Sequence, residues 1–191
     1  MGRLLLIRHG ESEGNRDRVF TRSPEVPLTP IGRTQARATA EFVRERYAPR
    51  LLVSSPFTRA RQTAEIISDV LTLPVTIEDE LRERSYGAYA GLPYETARPE
   101  FDPRAYWHWR PPGGETLEEV AARVGSALDR IAVGANHDDV VVVSHGGVMM
   151  ALWRHVMGDW ARPGRVVRNA GILLVEHDAG RYRGAVLLEA P

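Results

Sequence analysis

The chain has 191 residues, with 25 basic residues that are all arginine, 25 acidic residues, no cysteine and a formal charge of zero. Missing cysteine excludes disulfide frameworks, thiolate metal sites and cysteine nucleophiles. The balanced charge argues against general binding to nucleic acid or acidic membranes. No stretch reaches the roughly 20 apolar residues of a membrane span, so the expectation is a cytoplasmic enzyme. The length predicts one domain over 1–191, able to bury about 70% of the surface that its unfolded form exposes.

In chain order, an apolar strand over 3–8 is followed by a polar connection to Leu28. Thr29 as N-cap and Pro30 at the first helical position start a helix, with Ile31, Ala38, Phe42 and Val43 as its apolar stripe through about Tyr47. A buried strand over 50–54, a helix over 57–71 and a short strand over 75–77 complete a βαβαβ series. The segment 84–114 breaks the pattern, with Tyr86, Tyr89, Tyr94, Phe101, Tyr106, Trp107 and Trp109 among prolines and glycines, and reads as a cap inserted over the sheet. Helical spacing returns over 115–131 on Leu117, Val120, Val124, Leu128 and Ile131, with Gly134 as the expected terminator. A strand over 140–144, a helix over 148–156 ended by Gly158, and strands over 171–176 and 182–188 around an Asp178-Ala179-Gly180 turn close the chain. The fold class expected is a three-layer α/β sandwich, its central sheet mostly parallel and flanked by helices.

Two of these strands end alike. Leu4-Leu5-Leu6-Ile7 runs into Arg8-His9-Gly10, and Val140-Val141-Val142-Val143 into Ser144-His145-Gly146. In an open α/β sheet, residues just beyond the carboxyl ends of parallel strands line the ligand crevice, so His9 and His145 are expected to share a site. The helix over 57–71 carries Arg59 in its first turn, where the positive end of the helix disfavours a cation unless an anion or carboxylate lies opposite. The remaining histidines, His108, His137, His155 and His177, have no metal-site spacing, and no metal or other cofactor is expected.

Four ordered blocks, Arg8-His9-Gly10-Glu11, the run 55–64, Leu81-Arg82-Glu83-Arg84-Ser85-Tyr86-Gly87 and Ser144-His145-Gly146, resemble the signature of the histidine phosphatase superfamily, the phosphoglycerate mutase-like family. Pro27-Leu28-Thr29 with Gly32 and Gln35, and Pro112-Gly113-Gly114-Glu115-Thr116, extend the likeness over nearly the whole chain. The resemblance implies a histidine acid phosphatase-type phosphoric monoester hydrolase. His9 would be the nucleophile, neutral because Arg8 and Arg59 disfavour its protonation, and would carry the phosphoryl group between two displacements. Glu83 would be the general acid, then the base for water. Arg8, Arg59 and a charged His145 would hold the transferring phosphoryl group. Asn15, Thr21 and the helix start at Gly146 would complete substrate binding.

Within that family the resemblance divides mutases from phosphatases. The short interval from His9 to His145, an end at Pro191 without a long tail, and Gly91-Leu92-Pro93-Tyr94-Glu95 where mutases carry a lysine all favour a metal-independent phosphomonoesterase. Its partner would be a small phosphomonoester, with oligomeric state left open. Glu83-Arg84-Ser85-Tyr86-Gly87 and Phe20-Thr21 look mutase-like, with Arg22 replacing a glycine. A cofactor-dependent phosphoglycerate mutase and a non-catalytic phosphate-binding regulator are the alternatives.

Overall fold

Apolar strands that lack alternation need cover on both faces, and the computed structural model, which describes residues 1–21, 23–97, 107–158, 167–178 and 181–188, provides it. Strands β1 (Gly2–Arg8), β2 (Leu51–Ser54), β3 (Val75–Ile77), β4 (Val140–Ser144), β5 (Ile172–Asp178) and β6 (Arg181–Leu188) form one sheet in the order β3-β2-β4-β1-β5-β6. The pairs β3–β2, β2–β4 and β4–β1 are parallel, while β1–β5 and β5–β6 are antiparallel.

Strand periodicity assigns the core. Leu4, Leu6, Val140 and Val142 point to one face and pack with α4 (Leu117–Ala135) and α5 (Gly146–Met157). Leu5, Ile7, Val141 and Val143 point to the other and pack with α2 (Pro30–Arg46) and α3 (Thr58–Leu71). The result is the expected sandwich. The insertion contributes 3₁₀ turns at Gly87–Tyr89 and Tyr94–Ala97. Phe101, Tyr106, Arg22 and Ala179-Gly180 of the closing turn lie outside the described residues.

Several local expectations differ from the structure. The connection after β1 contains a single helical turn, α1 (Glu13–Arg16), closed by a reciprocal Ser12–Asn15 capping box; its polar sequence has no apolar period to reveal it. Ile31 is 60% exposed, and the buried face of α2 is Gly32, Ala36, Thr39, Ala40 and Val43. Gly32 sits there because a Cβ would run into the Glu11 backbone. Helix α4 passes through Gly134 and stops only at Asn136, whose φ is 56°. Burial of Ala132 and Ala135 against the core outweighs the cost of about 1 kcal/mol for an internal glycine. Helix α5 begins at Gly146 and ends at Gly158 in the left-handed conformation, φ 62°.

Candidate active site

Register sets the site. Arg8 pairs with Ser144 and Ser54 with Val143, so β1, β2 and β4 end level and deliver His9, Ser55 and His145 to one edge. The next backbone bonds continue the ladder: His9 N–H donates to Ser144 O at 2.9 Å and Ser55 N–H to Val143 O at 3.0 Å. The expected residues Arg8, His9, Asn15, Thr21, Glu83 and Gly146 line a single cavity of about 410 Å³. Arg59 and His145 lie buried beside it, 1% and 0% exposed.

His9 is oriented by two bonds. Its Nδ1–H donates to Gly10 O at 2.6 Å, and its Nε2 accepts from Arg59 Nε–H at 3.1 Å. The lone pair therefore resides on Nε2. Burial first, then the charges of Arg59 and Arg8, hold the pKa of His9 well below its ordinary value, a direction that favours the uncharged imidazole. Asn169 donates to His9 O at 3.2 Å and to Asn15 Oδ1 at 3.0 Å. Asn15 Oδ1 also accepts from Ser12 N–H and Oγ–H, which holds Asn15 in the lining of the cavity.

His145, expected to act as a charged ring on the phosphoryl group, lies in a desolvated setting beside two arginines. It is fully buried, 5.2 Å from His9 between ring centroids. Burial, followed by Arg59, His9 and Arg8, lowers its pKa well below the usual histidine value. Desolvation and the neighbouring positive charges both favour the uncharged ring.

The arginines have buried groups without partners. Arg59 Nη1 and Nη2, Arg8 Nε and His145 Nδ1 make no hydrogen bond among the described residues. An unpaired buried donor costs about 1–3 kcal/mol, and several around one imidazole are the expected signature of an anion site. Among the described residues no carboxylate lies within ion-pair distance of Arg59; its neighbour Arg61 faces Glu65 instead, at 3.7 Å. Burial lowers the pKa of Arg59 while the charge of Glu83 counteracts it, but a guanidinium remains protonated. Arg8 is steered by Nη1–H donation to Val167 O at 2.9 Å. Helix α5 starts beside it with no side-chain cap at His145, and Gly146 and Gly147 of its first turn line the same cationic cavity, where the helix start favours an anion.

Glu83 is 9% exposed and accepts from Arg84 N–H through Oε1 at 2.9 Å. A Cβ on Gly147 would come within 2.7 Å of that oxygen, so glycine is what lets α5 approach the carboxylate. The loop is secured from behind by Arg123. Its Nη1 donates to Glu80 O and Arg82 O at 2.6 and 2.9 Å, and its Nη2 to Glu83 O at 3.2 Å. Its Nε and Nη2 also meet the two Glu115 oxygens, each at 2.9 Å. Ser144 Oγ–H fixes Leu81 O at 2.7 Å.

Arg84 lines the cavity, yet donates to Glu115 O and Trp109 O at 2.7 and 2.6 Å. Phe20, Tyr86 and Tyr94 supply an aromatic wall, with Phe20 4.6 Å from Tyr86 and 5.1 Å from Tyr94 between centroids. Among the described residues, no group of three or more His, Asp or Glu is placed to hold a metal ion, and no helix is long and apolar enough to cross a membrane. Sequence reasoning gave no roles to Ser55, Asn169 or Arg123. Ser55 lay inside a recognised block, whereas the other two look like ordinary polar residues until folding brings them over 40 to 160 positions of chain to the site.

Fold and site together define an α/β protein with a cationic, histidine-bearing pocket at the carboxyl edge of its parallel strands. The model for histidine phosphatase superfamily (branch 1) matches residues 4–188, and the chain belongs to that superfamily. It is 34% identical over 158 residues to a protein of Bacillus subtilis named as an uncharacterized phosphatase, PhoE, covering 83% of this chain and 79% of that one. It is also 34% identical over 164 residues to a 2,3-bisphosphoglycerate-dependent phosphoglycerate mutase of Methylobacterium radiotolerans, covering 78% and 76%. A mycobacterial glucosyl-3-phosphoglycerate phosphatase structure with VO3 superposes with a TM-score of 0.83 at 28% identity over 98% of this chain and 97% of that one. Matches to three mycobacterial relatives span only 41% of their greater length.

Proposed function

We propose that this chain is a metal-independent phosphomonoesterase that acts through a phosphohistidine at His9 on a small phosphorylated metabolite. The observation that carries the reading is the His9 ring held with Nδ1 at Gly10 O and Nε2 at Arg59 Nε–H, beside buried polar atoms of Arg59, Arg8 and His145 that have no partner among the described residues. Membership in a superfamily with phosphatase-named relatives supports it.

In the first displacement, the Nε2 lone pair of His9 forms an N–P bond while the P–O bond to the leaving group breaks. Arg59 Nε–H exchanges the His9 lone pair for a phosphoryl oxygen, and Glu83 gives its proton to the departing oxygen. In the second, water attacks phosphorus and passes a proton to Glu83, and the N–P electrons return to Nε2. Each step needs donors on the equatorial oxygens, which Arg8, Arg59, His145 and the start of α5 supply. Asn15 and Thr21 contribute to the rim. The whole device works as a single domain in a cytoplasmic setting.

The mutase-named relative favours a second reading, isomerisation of 3-phosphoglycerate primed by 2,3-bisphosphoglycerate. Against it, the chain contains no lysine, so a substrate-binding lysine is unavailable. Phosphate release from a panel of phosphomonoesters in EDTA, with His9→Ala beside the wild type, tests the proposal. One preferred substrate whose turnover vanishes in the variant supports it. Negligible release together with primed isomerisation would replace it with the mutase reading.

A further inference from the structure

Ser55 follows β2 at the same level as the two histidines and is fully buried. Its Oγ lies 2.7 Å from His145 Nε2 and accepts from Phe57 N–H at 3.3 Å. The ring nitrogen of His145 and the Phe57 amide are the partners of this hydroxyl among the described residues. Two arrangements of the proton between them are conceivable. If Nε2 carried it, Ser55 Oγ would accept twice and its own O–H would be buried with no acceptor, at a cost typical of an unpaired polar group. If Ser55 O–H donates instead, Nε2 accepts, the hydroxyl is satisfied in both directions, and the single proton of a neutral imidazole must reside on Nδ1.

We propose that Ser55 is a positioning residue that fixes His145 as the Nδ1–H tautomer, making it a neutral hydrogen-bond donor to the phosphoryl group. Nδ1 is the buried ring atom without a partner among the described residues, in a ring set edge-on to His9. A neutral donor suits this place, since a further positive charge beside Arg8 and Arg59 would be unfavourable until an anion arrives. The opposite tautomer would aim a lone pair at an anionic oxygen and repel it. The functional half of the inference rests on the phosphoryl-transfer reading, whereas the tautomer can be observed without turnover.

Long-range 1H–15N correlation spectra of ligand-free protein labelled at histidine nitrogen test it directly, with the His145 signal assigned by its loss in His145→Gln. The wild type is expected to show His145 protonated on Nδ1 and bare on Nε2. In Ser55→Ala the Nε2–H form should appear, with kcat/KM falling about tenfold, the effect of one lost neutral hydrogen bond, to a similar degree for good and poor leaving groups. Ser55→Thr, which retains the hydroxyl, should retain the wild-type tautomer. An Nε2-protonated His145 in the wild type, or an unchanged Nδ1–H signal in Ser55→Ala, overturns the proposal. Absence of phosphate release from wild-type protein would instead overturn the phosphatase reading while leaving the tautomer measurement intact.

Discussion

Replacing Arg123 by methionine should both destabilise the fold and loosen the Glu83 loop. Arg123 is 11% exposed in its side chain and Glu115 21%, so the pair is mostly sheltered, and the arginine also satisfies three backbone carbonyls of the loop. Removing one member of a buried pair costs about 3–5 kcal/mol. Partial access of water to Glu115 favours the low end, about 3 kcal/mol. At about 2–4 °C per kcal/mol for a chain of this size, the melting temperature should fall by about 6–12 °C, measured by circular dichroism. Burial alone would raise the pKa of Glu115, but hydrogen bonds from Arg123 and the Ser85 amide outweigh it and leave it lowered. Because the folded pKa is depressed, this stabilisation is present above the unfolded value of about 4.3 and is lost as pH falls through the folded one. The wild type should therefore lose more stability than Arg123→Met on acidification below about pH 5. A drop under about 2 °C, less than about 1 kcal/mol, with the wild-type acid dependence intact, would refute the clamp.

Three further outcomes follow from the site. Because burial and the two arginines depress the pKa of His9, the enzyme limb of kcat/KM should lie well below pH 6.5, after correction for the second ionisation of the substrate phosphate near pH 6; an enzyme limb at the ordinary histidine value would contradict the neutral nucleophile. Arg59→Met should cost at least about 10²-fold in kcat/KM, yet keep or raise the melting temperature, since it removes a buried cation whose Nη1 and Nη2 have no partner among the described residues; full activity would remove Arg59 from the phosphoryl site. Glu83→Gln should impair substrates with poor leaving groups far more than aryl phosphates in presteady-state kinetics, and equal losses would argue against an acid role.

The strands and most helices were legible because burial on both sheet faces leaves unbroken apolar runs, as in 140–144, and because caps such as Thr29-Pro30 and Gly158 mark helix ends chemically. Helix α1 was not, since its stability comes from the Ser12–Asn15 exchange and contacts to distant segments instead of an apolar stripe. The residues singled out in the sequence also come together, since Arg8, His9, Asn15, Thr21, Glu83 and Gly146 line one cavity. What the sequence missed depends on distance and burial. The lowered pKa of His145 arises from complete desolvation and two arginines, neither visible in Ser144-His145-Gly146 alone. Arg123 and Asn169 act through backbone carbonyls, contacts that leave no residue pattern.

The central claim is covalent chemistry at His9, and the most direct measurement is trapping the enzyme during turnover by rapid quenching at high pH, where phosphohistidine survives, followed by peptide mass spectrometry. One phosphoryl group on the peptide containing His9, formed and lost at rates that account for turnover and absent from His9→Ala, is the predicted result. Metal-independent phosphate release with no phosphorylated His9 peptide, or undiminished release by His9→Ala, would contradict the mechanism.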